Sequence, residues 1–326
     1  MTRAEWWDLH RRDPRATPFQ SPAWIEAWWT HLGGGERIDA EVRDATGRLV
    51  AALPLFVWND AGVRRLVPVG AGHSDYLDAL IDPDADAVSA LWDAILATAE
   101  RWDELLLPDL RPNSPLLGPA PAGWRADDEP GEVCPVMALP EAPPLLAGMS
   151  KSKRRKVQHD RNRADALGGV TEALAAPAEL PQALDALFAL HAERWEAAGE
   201  AGVLADPCVQ AFHRAAAPAL MEAGLLRLSL VRHEGQIVAA LLGFADARRG
   251  YSYINGVDQS TPGQSFGTLA FACAIEDALA GGAREYHFLR GEEPYKYAWG
   301  AEPRATVRRR VWRDSPPDEP RATTRS

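Results

Sequence analysis

Two ten-residue stretches, GRLVAALPLF at 47–56 and GQIVAALLGF at 235–244, constrain the fold more than any other part of the chain. Each follows a turn, DATG or RHEG, and each turn follows a strand-like segment, IDAEVRD or LLRLSLVR. In LRLSL apolar and polar side chains alternate with the period of a half-buried strand. Another strand-like segment comes next in both places, RRLVPVG or GYSYING. After a loop, each half has an apolar-rich helical window, AVSALWDAILATAERW or SFGTLAFACAIEDALAGG, and then a further strand, DELLLPDL or REYHFLRG. A short match arises by chance in a chain rich in Ala and Leu. Its recurrence at the same place in the same element order makes duplication the better explanation. At 326 residues the chain is long enough for two cores. The expected class is therefore α/β (α+β), with two tandem domains.

The Pro- and Gly-rich run NSPLLGPAPAGWRADDEPGEVCP, 113–135, is not expected to form regular structure and marks the boundary. This divides the chain into a domain over 1–130, a domain over 131–313 and a tail, 314–326, with nothing apolar to bury and expected disorder. VMALPEAPP, 136–144, is expected to open the second domain with a strand. A helix opened by Ser21-Pro22, with Pro at its favoured first position, precedes the first copy. Helical windows near 150–166, 180–198 and 206–223 precede the second.

The net charge of −11 does not draw the chain as a whole to DNA or anionic lipid, though a local basic patch still can. Cys134, Cys208 and Cys273 are far apart, with no CxxC and no His-rich partner, so no metal site is expected. The start, MTRAEWWDLHRRDPR, lacks the apolar core of a signal peptide. No run approaches the roughly 18 apolar residues of a membrane span. A cytoplasmic protein is expected.

The loop DQSTPGQSFG leads from a strand into a helix through Pro262, Gly263 and Gly267. Such a loop aims backbone N–H groups and the positive end of the helix dipole at a phosphate, or it is a plain helix start. Gly allows the anion close to the backbone, where a Cβ would block it. Small residues at 270, 272, 274, 278 and 280 suit a helix packed tightly on a sheet. The equivalent loop of the first copy, GAGHSDYLDALIDPDAD, is acidic and would repel phosphate, so the first copy is expected to lack a cofactor.

Element order, the PGQSFG loop and the final strand resemble the Gcn5-related acetyltransferase (GNAT) superfamily. Gln264-Ser265-Phe266-Gly267-Thr268-Leu269 is similar to its pyrophosphate-binding loop, departing at Leu269, where that loop has Gly or Ala. More specifically, the chain resembles the cellulose-biosynthesis-protein (BioF2-like) acetyltransferase group, related to the Fem aminoacyl transferases. That likeness rests on Ser21-Pro22 before a Trp-rich helix, GRLVAALPL, Asp75-Tyr76, and the basic run after Met149-Ser150. It continues through His191 to Trp195, YSYINGVD and FLRGEEPYKYAWG, spanning nearly the whole chain in order. The resemblance implies two tandem acetyltransferase-like domains, each a mixed, mostly antiparallel sheet flanked by helices. It implies an acyl-CoA thioester, acetyl-CoA or another acyl-CoA, lying between two splayed strands, with no metal.

Transfer to an amine needs a free amine, a stabilised oxyanion and a protonated leaving thiolate. The resemblance puts the oxyanion contact on N–H groups of Tyr253, Ile254 and Asn255, and the cofactor phosphates on Pro262, Gly263, Gln264, Ser265, Phe266 and Gly267. Tyr253 is a candidate proton donor or a core residue; Asp258 is a candidate amine ligand or an Asx turn. Glu293 and Lys296, three apart, suit one helical face. They are candidate catalytic residues or a surface ion pair worth about 0–1 kcal/mol. Asp75, Tyr76, Trp195, Arg290, Tyr295 and Trp299 are candidates for the acceptor side, with core capping the alternative for Tyr295 and Trp299. His191 shares an apolar helix face with Trp195 and is a core residue or a general base. His287 stands where the family commonly has an acidic residue. The basic run KSKRRKVQHDRNR, 151–163, reads as a helix capped by Ser150 or Ser152, and either contacts phosphate or is a solvated face.

Three functions remain. The chain is an acyl-CoA-dependent N-acyltransferase acting on an amine of a small molecule, glycan or peptide, in polysaccharide or cell-envelope metabolism. Alternatively it takes its acyl group from aminoacyl-tRNA, like the Fem relatives, and acts on a cell-wall precursor. The third is a non-catalytic protein of the same fold that binds a nucleotide or a partner.

Overall fold

The computed structural model describes residues 1–141, 144–145, 149–197, 199–261 and 265–314. The tail from 315, part of the segment expected to be disordered, lies outside them. In chain order the first elements are α1 (Arg3–Arg12), α2 (Pro22–Leu32), β1 (Glu36–Arg43), β2 (Leu49–Asp60), β3 (Val63–Pro68) and β4 (Leu80–Ile81). Next come α3 (Val88–Leu96), β5 (Glu104–Leu110), β6 (Trp124–Val133), β7 (Val136–Ala138), α4 (Lys151–Leu167) and β8 (Val170–Leu174). Then follow α5 (Leu180–Ala197), α6 (Pro207–Glu222), β9 (Leu226–His233), β10 (Gln236–Ala245) and β11 (Arg249–Val257). The last are α7 (Phe266–Ala280), β12 (Glu285–His287), α8 (Pro294–Ala298) and β13 (Ala305–Arg313). Both copies of the repeat thus have the strand, hairpin, third strand, helix and closing strand that the sequence implied.

Two compact units share the chain. One comprises Met1–Arg15, Gly34–Gly131 and the chain from Thr306; the other comprises Ala16–Gly33 and Glu132–Ala305. Neither is a single stretch of sequence.

The first unit's sheet has the order β1-β2-β3-β5-β13-β6, with β4 beside β2. β1, β2 and β3 form an antiparallel meander, and β3 runs parallel to β5. Apolar side chains of these strands, such as Leu53, Leu55, Leu66 and Leu105, bury against Leu91 and Ile95 of α3. β6 corrects the expectation that 113–135 lacks regular structure. It is an edge strand with little burial, where Pro130 and Gly131 are tolerated because only one side needs a ladder. Arg309 ties it down, its guanidinium pairing with Asp128 at 2.6 Å.

The second unit's sheet has the order β7-β12-β11-β10-β9-β8. All pairs are antiparallel except β11 with β12. The helix α7, rich in Ala, lies on one face, with Leu269, Phe271, Ile275 and Leu279 in the core. α5 lies close on β11: a Cβ at Gly256 would stand 2.7 Å from Leu190 Cβ and 2.8 Å from the His191 amide. Residues 16–33 belong here. Ser21 caps α2 by accepting from the Trp24 amide at 3.3 Å, Pro22 fills the first turn, and Trp24 meets Phe212 of α6 edge-on at 4.6 Å.

Gly256→Ala should therefore push α5 off the sheet and lower unfolding free energy by about 1–3 kcal/mol in urea denaturation. Gly34→Ala, where a Cβ meets no atom within 4 Å, should leave it within about 0.5 kcal/mol.

Candidate functional site

β11 is bonded unequally on its two sides. Its ladder with β10 runs Leu242↔Ile254 and then Gly243↔Ser252, so the register shifts at Tyr253, which forms a bulge. On the other side β11 meets β12 through Arg249↔Glu285, Gly250↔Tyr286 and Tyr251↔His287 alone. Beyond Tyr251 it has no further strand partner on that side among the described residues. After His287 the chain keeps bonding away from β11: Phe288 N–H donates to the Pro135 carbonyl at 2.9 Å and Gly291 N–H to that of Val133 at 3.0 Å. Leu289 and Gly291 turn it with left-handed φ of 58° and 105°. The two strands therefore part at Tyr251, leaving residues 252–257 with an open backbone edge.

α7 begins beside that edge. A Cβ on Gly267 would stand 3.2 Å from Val257 Cγ2, so the first turn of the helix sits on the end of β11. Ser265 is its N-cap and makes no side-chain cap hydrogen bond to the helix. Its hydroxyl instead accepts from Lys156 Nζ of α4 at 3.2 Å. The basic helix α4, capped by Ser150, thus leans over the start of α7. Lys156 also pairs with buried Asp160 at 2.7 Å. One turn earlier, Lys153 Nζ lies 3.4 Å from the centroid of the Trp299 ring. Burial there, aided by Lys156, lowers the Lys153 pKa to about 8. Pro262, Gly263 and Gln264 of the expected phosphate loop lie outside the described residues.

The segment after β12 is organised by Lys296, which is 2% exposed. Its ammonium donates to the carbonyls of Leu289, Arg290 and Gly291 at 3.2, 2.6 and 3.1 Å. It also pairs with half-exposed Glu293 at 3.0 Å. Three donors among four acceptors make Lys296 a clamp on the turn. Glu293 is the N-cap residue of α8. Tyr295 is partly exposed and packs on Phe271 at 5.4 Å, whereas Trp299 is buried. Arg290 is half-buried.

Asp258 adopts the Asx turn: its carboxylate accepts from the Ser260 amide at 2.7 Å and the Ser260 hydroxyl at 2.9 Å. The Tyr253 ring packs among Phe19, Trp24, His213 and Phe244. Ile254 is buried, and Asn255 accepts from Arg194 at 3.0 Å. His191 is buried, and its Nε2 accepts from Trp195 Nε1 at 2.9 Å. Burial, with Arg194 nearby, holds its pKa down at about 4, so it is neutral and carries its proton on Nδ1. His287 faces Glu285 at 3.2 Å, and this contact, with Arg304, lowers the Glu285 pKa to about 2. Asp75 and Tyr76 are buried in the first unit.

The second unit thus collects Tyr253, Ile254, Asn255, Ser265, Phe266 and Gly267 at the parting of the strands. Glu293, Lys296 and Tyr295 lie on the segment that leaves β12. Sequence reasoning did not find the clamp carbonyls, Arg194, or Phe19 and Trp24 against Tyr253. Only the basic run and the Trp-rich helix hinted at these neighbours. Among the described residues, no cluster of His, Cys, Asp and Glu is arranged to hold a metal ion, and no helix is long and apolar enough to cross a membrane.

Residues 151–297 match the family model of the acetyltransferase (GNAT) domain. Solved structures of similar fold include FemX, with a TM-score of 0.67 at 13% identity over 95% of this chain and 96% of that one. A conserved protein of unknown function from Bacteroides thetaiotaomicron has a TM-score of 0.62 at 14% identity, covering 96% and 98% of the two chains. L-PGS from Bacillus licheniformis has a TM-score of 0.56 at 12% identity, covering 91% and 93%. A search of curated protein sequences gives no match. The chain carries a GNAT-type acetyltransferase domain over 151–297 and is an acyltransferase.

Lys296→Met should destabilise the protein by about 2–3 kcal/mol, because buried carbonyls lose a charged donor. Glu293→Gln should change it by less than about 0.5 kcal/mol, as expected of a half-exposed partner. Chemical denaturation separates the two. His191 adds a pH dependence. Unfolded histidine takes up a proton below about 6.5, while the folded one does so only near 4, so stability falls as pH drops through that window. His191→Gln should flatten the slope of unfolding free energy there by up to about one proton.

Proposed function

We infer that the second unit transfers an acyl group, acetyl in the simplest case, from acyl-CoA to an amine. The open edge of β11 beyond Tyr251 carries this reading. A thioester carbonyl gains negative charge as an amine attacks it, and N–H groups fixed at Tyr253, Ile254 and Asn255 suit that charge. The start of α7, with Lys156 at Ser265, gives the cofactor's diphosphate a helix N-terminus and a cation, and Pro262–Gln264 belong to the same loop. A C–N bond forms and the C–S bond breaks. Tyr253 gives its phenol proton to the departing sulfur, and Glu293 takes the proton that the acceptor nitrogen loses so that the neutral amine attacks. Lys296 acts through the turn it clamps, and Asp258 through the turn that leads to the phosphate loop. Tyr295, Arg290 and Trp195 border the acceptor, with Trp299 packed beneath. The first unit takes no cofactor.

A second reading has a specific observation behind it. Lys151, Arg154 and Arg155 are exposed on the helix whose Lys156 reaches Ser265, and such a face equally suits the acceptor stem of an aminoacyl-tRNA.

Titration calorimetry with acetyl-CoA should show one site, and Gly267→Leu should weaken binding at least about tenfold by driving a side chain between α7 and Val257. No heat with acetyl-CoA, together with a tRNA gel shift that weakens steeply with salt, would replace the acyl-CoA reading with the aminoacyl-tRNA one.

A further inference from the structure

α5 brings a cation to the open edge of β11. Arg194 is exposed, and its Nη1 donates to Asn255 Oδ1 at 3.0 Å. Its Cζ lies 5.9 Å from the centroid of the Trp195 ring. Trp195 is a fixed wall there: His191 takes its indole N–H, and a Cβ on Gly202 would stand 2.7 Å from its ring. The guanidinium is also felt at Tyr295 of α8. Burial and the charge of Glu293 raise the Tyr295 pKa, and Arg194 opposes them. Charges of both signs therefore act on one partly exposed ring beside the parted strands.

Arg161, Arg227, Arg232 and Arg249 of the same unit each pair with a carboxylate. Among the described residues Arg194 pairs with none, although Glu193 and Glu196 lie on the same helix. Its neighbours Asn255 and Trp195 are uncharged. A planar fork of N–H donors with one neutral acceptor suits an anion held by two parallel bonds. Acyl-CoA does not bring that anion. Its charges are on phosphates, placed above at the start of α7 with Lys156, and its thioester end is neutral. The anion must then come with the acceptor. One guanidinium balances one negative charge, which suits a carboxylate better than a phosphate carrying about two.

We propose that the acceptor is an amino acid with a free carboxylate, which Arg194 holds while Glu293 receives the amine. The proposal names the substrate class of the acyl transfer inferred above and rests on that reading. The acceptor nitrogen bonds to the acyl carbon, CoA leaves as its thiol, and the carboxylate is unchanged. The product is an N-acyl amino acid.

Thiol release from acetyl-CoA is measured with the full-length protein and the standard amino acids, each beside its carboxamide. Ethanolamine, glucosamine and O-phosphoethanolamine complete the panel. At least one amino acid should be turned over with kcat/KM about tenfold or more above that of its carboxamide. Arg194→Gln should raise KM for that acid about 10- to 100-fold, as expected for a lost charged hydrogen bond, and leave acid and amide equally poor. Arg194→Lys keeps the charge without the fork and should fall between. Calorimetry should show acetyl-CoA binding unchanged in both variants. Carboxamides or neutral amines used as well as the acids, or no acid used by protein that binds acetyl-CoA, would overturn the proposal and leave the acyl-CoA reading in place. A preference for O-phosphoethanolamine over every acid would also overturn it, by putting a phosphate at Arg194. An equal fall in kcat for acid and amide in Arg194→Gln would assign the guanidinium to the oxyanion instead. Weaker acetyl-CoA binding in that variant would assign it to the cofactor. Wild-type protein that binds no acetyl-CoA would remove the underlying reading, and the proposal with it.

Discussion

The ladder between β11 and β12 ends after Tyr251 and His287, and the rest of the site depends on that ending. A parallel pair that continued would satisfy residues 252–257 and leave nothing for a ligand. The pair ends because the chain after His287 bonds toward Val133 and Pro135 instead. That route needs Leu289 in a left-handed conformation, which costs a non-Gly residue about 1 kcal/mol or more. It also brings three carbonyl oxygens together, which repel one another unless a cation lies among them. Lys296 supplies that cation and is itself buried at low cost because every donor finds an acceptor. The clamp and the open edge are therefore two sides of one arrangement.

The first copy shows the alternative. There β3 and β5 also part early, after Arg65↔Glu104 and Leu66↔Leu105. Further along β5, however, the Asp109 carbonyl accepts from Leu77 N–H at 3.1 Å, and Ser74 through Ala79 are all buried. The chain itself lies along the part of β5 that corresponds to the open edge of β11 in the second copy. Asp78, whose pKa burial raises to about 6, is held by the Ser114 hydroxyl at 2.9 Å and by its neighbour's amide. Asp75 and Tyr76 belong to this polar core. The acidic loop, legible in the sequence as unsuited to phosphate, thus closes the copy that carries it.

The sequence made the local grammar plain and the backbone's detours invisible. The repeat fixed the order of elements, Ser21-Pro22 the start of α2, and Ser150 or Ser152 the cap of α4, which the structure gives to Ser150, because each depends on residues close in the chain. Asp258 as an Asx turn is local in the same way. β6 was missed because an edge strand needs no apolar face, and its Pro130 and Gly131 look like loop. The Glu293–Lys296 spacing suggested an ion pair, but spacing cannot show that three carbonyls converge on Nζ; that follows from φ at Leu289 and Gly291. The bulge at Tyr253 is equally silent, since one extra residue in a strand leaves no mark on an apolar pattern.

The exchange of segments follows from the same limits. The two copies share strands and a sheet-facing helix, but the rings packed on the Tyr253 bulge come partly from outside the repeat. Phe19 and Trp24 lie in residues 16–33, which belong to the second unit although they precede the first copy in sequence. β13, conversely, follows the second copy yet pairs with β5, giving that strand an antiparallel neighbour on its other side. The stretch 151–297 that matches the acetyltransferase family therefore lacks two of the rings beside Tyr253, Phe19 and Trp24. It also lacks β7, which carries the other edge of β12. In this chain β11 and β12 therefore take neighbours from residues that precede the region matching the acetyltransferase family.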